Sequence, residues 1–211
     1  MNIDETLAQA GLITRTVGVT DRDGRSAKTL TTSRVYPTAL EDLWDAVTNP
    51  GRIPRWFLPV SGDLELGGRY ALEGNASGSI LECEPPRRFL ITWEYGGDTS
   101  WVTVELTAED SGTRVELTHT AHVPDEMWDQ YGPGATGIGW DLGLLGLGLY
   151  LSGETTAPAT EMAGWEASPE GRVFVKSASD AWAEASIEAG TDVEAAHASA
   201  SKVTAFYTGA E

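Results

Sequence analysis

A single cysteine, Cys83, leaves this 211-residue chain with neither an intrachain disulfide nor a cysteine-based zinc site. It alternates with Leu81 in a strand-like run, which fits a buried, inert thiol better than a nucleophile. Positive charge is scarce as well: 14 lysines and arginines stand against 32 aspartates and glutamates, a formal charge of −18. That deficit excludes the cationic footprint of a nucleic-acid binder and disfavours attraction to an anionic membrane surface. Long hydrophobic runs are missing too. The most apolar stretch, Ile138–Leu151, is too short to span a bilayer and contains Asp141. The opening "MNIDETLAQAG" has no basic region followed by an apolar core, so no signal peptide is read there and a soluble cytoplasmic protein is expected.

Several chemical signatures are also absent. No Walker-type loop, Gly-x-Gly-x-x-Gly fingerprint or Ser-His-Asp order occurs, and "GLLGLGLY" lacks the preceding strand and acidic partner of a dinucleotide site. His119 and His122 with Asp125 make poor metal-ligand spacing at a strand end, and no acidic or cysteine cluster supports them. Neither cofactor nor metal is expected.

What is present is enough apolar residue, 41%, for one domain or one domain with an appendage. "LITRTVGVTDRDGRSAKTLTTSRVYP" reads as two strands around an Asp-Arg-Asp-Gly turn. "TALEDLWDAVTNP" reads as a helix with Thr38 as N-cap and Glu41 completing a capping box, and "GRIPRWF" as a short helical turn. Strands resume at "GDLELGGRYALEG", where Gly67-Gly68 marks a turn or bulge. In "GSILECEPPRRFLITWEYGG" the two prolines cannot sit inside a central strand, so they form the turn of a hairpin. Its second strand sets Phe89, Ile91, Trp93 and Tyr95 on one face, with Arg87 and Arg88 outside, pairing with Glu82 or Glu84. "SWVTVELTAEDSGTRVELTHTAH" adds two more alternating strands.

Next comes a long helix, roughly Pro133 to Leu151, with Trp140, Leu144, Leu147 and Leu151 on a broad apolar face. Gly139, Gly143 and Gly146 lie along one flank; each costs about 1 kcal/mol relative to alanine, so close approach of another helix is expected there. "SGETTAPATEMAG" has linker composition, and two further helices follow. The first opens at Ser-Pro and ends near Gly190; the second opens on a capping box of Thr191 and Glu194. Val173, Phe174, Trp182, Val203 and Phe206 need burial, so this hairpin docks on the main domain, within the chain or exchanged with a second copy as a homodimer.

A long helix laid across a curved antiparallel meander is the helix-grip architecture, an α+β fold. "RVYPTALEDLWDAVTNPGRIPRWF", "DLELGGRYALEG", "GSILECEPPRRFLITWEY" and "GTRVELTHTAH" occur in the order that resembles the SRPBCC (START/birch-pollen-allergen) superfamily. They resemble most the branch of the C-terminal domain of the activator of heat-shock protein 90 ATPase. The resemblance covers about Ser33 to Leu151 and does not extend to the C-terminal hairpin of helices, which departs from the family pattern; the expected organisation is a domain over 1–152, with 153–211 as linker and docked helical hairpin. It also implies a cavity between sheet and long helix.

Candidate residues follow from that cavity. His119 shares a strand face with Val115, Leu117 and Ala121, where an imidazole could orient a ligand carbonyl, act as general acid or base, or serve as a buried core histidine hydrogen-bonded to the last helix. Trp44, Trp56, Tyr70, Trp93 and Trp140 lie on elements that wall the cavity and combine apolar area with a polar handle. Three functions fit the fold: a protein binding a hydrophobic or aromatic small molecule, an enzyme of the polyketide cyclase/aromatase type, and a co-chaperone-like interaction module. In the enzyme reading His119, Tyr70 or Glu82 would transfer the proton. The lack of convergent paired acid and base residues favours binding.

Overall fold

The computed structural model describes residues 1–154 and 164–209, so residues 155–163 of the sequence-read linker lie outside the described residues. The fold is α+β. Eight strands form one sheet in the order β1-β2-β8-β7-β6-β5-β4-β3, and the contiguous run from β3 to β8 is antiparallel throughout. The chain divides into two compact units: Met1–Thr32, His122–Leu145 and Met162–Glu211 form unit one; Ser33–Ala121 and Gly146–Glu161 form unit two. Among the described residues no helix is long and apolar enough to cross a membrane.

Unit two is built on the meander. β3 (Val60–Gly62), β4 (Arg69–Leu72), β5 (Ser77–Glu84), β6 (Arg88–Tyr95), β7 (Asp98–Glu109) and β8 (Gly112–Ala121) follow one another as antiparallel neighbours. Residues directly opposite in such pairs share a face. Ile91, Val102 and His119 therefore line up across three strands, as do Phe89, Val104 and Leu117. On β8 the alternation is complete: Thr113, Val115, Leu117 and His119 are buried while the residues between them are not.

The β5–β6 hairpin departs from its expected pattern. Register shifts between Ile80 and Glu82, so Leu81 bulges outward, 41% exposed, and Cys83 is half-buried rather than enclosed. Tyr95, expected on the apolar face, is 62% exposed because it abuts the Gly96-Gly97 turn, while Leu90 on the other face is buried. Arg88 does pair with Glu82, and with Glu105 at 3.6 Å; Arg87 is exposed.

The helix α2 (Leu40–Thr48) packs on β7 and β8. Its N-cap is Ala39, one residue later than expected. Thr38 stays outside because its carbonyl accepts the Thr113 hydroxyl at 2.8 Å, while its own Oγ1 donates to Asp42 at 2.7 Å. A 3₁₀ turn, Ile53–Arg55, matches the expected helical turn. Arg52 beside it bonds Asp42, Asp45 and the Tyr150 hydroxyl.

Unit one opens with a helix the sequence reading does not assign, α1 (Ile3–Gly11), although Asn2 and Glu5 form a reciprocal capping box. β1 (Thr14–Arg22) and β2 (Arg25–Tyr36), whose last four residues belong to unit two, follow as the expected hairpin, turning at Asp23-Gly24 where both residues have positive φ. α3 (Asp125–Tyr131) leads into the long helix α4 (Gly134–Leu151), whose first twelve residues belong to unit one. α5 (Pro169–Glu188) packs on α1, β1 and α6 (Val193–Thr208), burying Phe174 and Trp182, while α6 buries Val203.

Two expectations about these helices are corrected. Phe206 is 69% exposed on the outer side of α6, and its neighbour Tyr207 is the one that turns inward, donating to the Ala135 carbonyl at 3.1 Å. α6 is capped by Asp192, whose Oδ1 accepts from the Ala195 amide at 3.0 Å. Thr191 is instead drawn back to α5, bonding the Ser186 hydroxyl and carbonyl.

The glycine flank of α4 is also distributed differently. The close approach falls on Gly137, where a Cβ would stand 2.3 Å from the Trp182 indole. At Gly139 the nearest atom is the Tyr207 hydroxyl at 3.5 Å, an ordinary contact. Gly146 faces the Trp56 carbonyl, 2.6 Å from a would-be Cβ, so its partner is a turn backbone rather than another helix.

Candidate functional site

The antiparallel register of unit two brings Trp93 and His119 to one end of a single sheet face. Trp93 on β6 is opposite Ser100 on β7, and Val102 on β7 is opposite His119 on β8. The rings of Trp93 and His119 lie with centroids 6.2 Å apart. Between them stands Ser100 of β7, which the sequence reading missed; a bond from His119 to a neighbouring strand is found where a partner on the last helix was expected. The Ser100 Oγ donates to the Trp93 carbonyl at 3.1 Å, leaving a lone pair to accept from His119 Nε2 at 2.7 Å. A signal for it was present: Ser100, Val102, Val104 and Leu106 alternate on one face, and a single hydroxyl interrupts an otherwise aliphatic row.

His119 is 7% exposed, and burial pushes its imidazole down to about 4. At neutral pH it is therefore uncharged, a hydrogen-bonding group in an apolar wall.

The other predicted residues take separate places. Trp44 on α2 meets Phe89 edge-on at 6.0 Å, and Phe89 is four residues from Trp93, about 13 Å along the strand. Trp56 donates its indole N–H to the Ala46 carbonyl at 2.9 Å and stacks on Phe57 at 5.4 Å, so its polar handle fixes the end of α2. Tyr70 is buried on β4, opposite Gly62 on one neighbouring strand and Gly78 on the other. Its hydroxyl donates to the Thr92 carbonyl at 2.7 Å, and burial raises its pKa. Trp140 is half-buried in the part of α4 that belongs to unit one. His122, just past β8, bonds the Ser26 carbonyl through Nδ1 at 3.1 Å, and His197 is exposed on α6.

Two buried charges were not singled out from sequence. Arg34 in unit two stacks over the Tyr36 ring at 4.9 Å, in space left by Gly148, and burial lowers its pKa. Asp141 in unit one is fully buried in α4 and accepts from Arg15 Nε at 2.8 Å, Trp182 Nε1 at 2.9 Å and Thr32 Oγ1 at 3.0 Å. Burial raises its pKa, against the pull of these donors. Among the described residues no three His, Cys, Asp or Glu side chains are grouped to hold a metal ion.

The sheet and this site can be set beside known proteins. The family described as "Activator of Hsp90 ATPase homolog 1-like protein" matches residues 37–151, just over half the chain. CalU16 from Micromonospora echinospora is similar in its crystal structure, at 35% identity and TM-score 0.65, with 82% of this chain and 97% of that one covered. Its solution NMR structure gives 34% identity and TM-score 0.69, with 84% and 97% covered. Protein MLL2253 from Mesorhizobium loti shares the fold at 23% identity and TM-score 0.53, with 60% of this chain and 98% of that one covered. No curated protein matches the chain. The ordered strands of unit two, the family match across them and the likeness to CalU16 agree: the chain belongs to the SRPBCC-type family of Activator of Hsp90 ATPase homolog 1-like proteins.

Proposed function

We propose that unit two binds a hydrophobic or aromatic small molecule against the sheet face that carries Trp93, Ser100 and His119. The observation that carries this reading is a neutral, buried histidine set in an aliphatic row beside a tryptophan ring. Such a wall offers apolar area with one fixed hydrogen-bonding group, which is how small-molecule sites set orientation. The row Ile91, Val102, Phe89, Val104 and Leu117 continues the apolar surface toward Trp44. Trp56 and Tyr70, each fixed by a hydrogen bond, act as rigid wall residues in this reading.

Binding is favoured over proton transfer for a physical reason. A general acid or base works best with a pKa near the working pH, and an imidazole held near 4 is far from it. His119 therefore orients a ligand rather than exchanging a proton with it.

Native mass spectrometry of the purified protein, with titration of apolar aromatic probes followed by tryptophan fluorescence, tests the reading. Trp93→Ala should abolish the quenching. His119→Ala should weaken binding about tenfold, the scale of one hydrogen bond, with only a small change in melting temperature. A protein that carries no small molecule and responds to no probe removes the reading; lost stability with unchanged affinity assigns His119 to the core instead.

A further inference from the structure

Unit one carries a partly open pocket of about 720 Å³, and none of the residues of the proposed site lines it. Its walls come from β1, the α3–α4 junction, and the facing sides of α5 and α6. β1, α5 and α6 lie outside residues 37–151, so most of this cavity is built by elements flanking the family domain.

Three observations define what it could hold. The volume falls within the range of small-molecule pockets, roughly 300–1,000 Å³. Small residues such as Gly132, Gly134, Ala183 and Ala196 make up much of the wall, with Trp128, Tyr131 and Trp182 as its aromatic members. The Trp182 indole nitrogen is engaged by Asp141 at 2.9 Å, so Trp182 has only carbon left to offer. Finally, Ser179 lines the cavity at 1% exposure, and its Oγ has no hydrogen-bond partner among the described residues. A buried hydroxyl left unpaired is unfavourable and is satisfied by a polar group brought to it.

Charge narrows the ligand class. Lys28 is the one cation among the described lining residues; it sits 3.4 Å from Asp125 and 5.6 Å above the Trp128 ring. Asp129 and Asp192 line the same cavity in a chain of net charge −18, so an anion is disfavoured. Asp129 and Asp192 are both exposed, and Asp192 caps α6, so the described lining residues offer no buried carboxylate to pair with a cation.

We propose that this cavity is a second small-molecule site, independent of the Trp93–His119 face, for an uncharged, flat, largely apolar molecule with one hydrogen-bonding group. The hydroxyl of Ser179 meets that group and the Trp182 indole packs against the apolar body.

The test is an NMR titration of the ¹⁵N-labelled full chain with 2-naphthol, naphthalene and 2-naphthoate. The expected result is that 2-naphthol shifts the amides of Gly132, Gly134, Ala183 and Ala196 and binds more tightly than 2-naphthoate. Ser179→Ala should weaken 2-naphthol about 2- to 10-fold and leave naphthalene unchanged. Ala195→Trp starts from an exposed lining position on α6, so it should fill the cavity without disturbing the core and abolish these shifts. Shifts confined to unit two, around Val102 and His119, overturn this site while leaving the proposed function standing. Shifts at the unit-one amides that survive Ala195→Trp, or a preference for 2-naphthoate, also overturn it.

Discussion

Trp182 reaches from α5 to the middle of α4 and donates its indole proton to Asp141 Oδ2 at 2.9 Å. The same oxygen accepts from Arg15 of β1 at 2.8 Å, and the other from Thr32 of β2 at 3.0 Å. One buried carboxylate thus ties the amino-terminal hairpin and the carboxy-terminal helices to the long helix within unit one. A carboxylate is tolerated in such surroundings only when it is paired and hydrogen-bonded.

Removing one donor tests that tie. Trp182→Phe keeps the ring and deletes the N–H, and should destabilise the protein by about 1.5–3 kcal/mol, the scale for a hydrogen bond to a charged group. Asp141→Ala, which strands the Arg15 guanidinium, should cost about 3–5 kcal/mol. Urea unfolding measures both, and an unchanged midpoint in Trp182→Phe contradicts the assignment.

Two glycines on α4, two residues apart, should respond in opposite directions. Gly137→Ala places a methyl 2.3 Å from the Trp182 indole and should cost about 1–3 kcal/mol through overpacking. Gly139→Ala meets its nearest neighbour at 3.5 Å and should gain about 0.5–1 kcal/mol from lower backbone entropy in the unfolded chain. Thermal unfolding of the two single variants separates them; equal and same-signed effects would count against the packing described.

These residues also show where sequence stops being legible. The alternation of Val115, Leu117 and His119 and of Val102 and Val104 is a local period, so the strands and the inward face of β8 could be read directly. The capping errors at Thr38 and Thr191 are one-residue shifts: Thr38 is held by a long-range bond from Thr113, and Thr191 by bonds back to Ser186 at the end of α5. Asp141 was invisible as a site because its partner Arg15 lies 126 residues away, and a lone acid in an apolar run reads only as an interruption. Ser100 was missed for a related reason: a serine in a strand has no meaning until the register sets it beside His119.

The pH dependence of stability should carry the signature of His119. Its folded pKa of about 4 lies below the ordinary 6.5, so between those values the unfolded chain takes up a proton that the folded chain excludes. The stabilisation is complete above 6.5, falls as pH drops through this window, and the full loss is about 3 kcal/mol. Urea unfolding from pH 7 to pH 4 should show a steeper decline in the wild type than in His119→Asn. Parallel profiles would falsify the buried neutral imidazole.

Tyr70→Phe probes the opposite end of the meander. It removes the hydroxyl that donates to the Thr92 carbonyl at 2.7 Å and should cost about 1 kcal/mol. Hydrogen exchange should quicken on β4 and β5 and stay unchanged on β7 and β8. Uniform acceleration over the whole sheet would show that the bond acts globally instead.

The shortness of β3 bears on how the protein behaves at high concentration. It is the last strand of the sheet, three residues long, bounded by Pro59, which has no amide proton, and by the acidic Asp63 and Glu65. A strand from another copy arriving at this edge finds few backbone groups to pair with and a repelling negative charge beside them. This margin of the meander is therefore poorly suited to templating fibrous growth, and crowding alone should not extend the sheet from β3 into a ribbon.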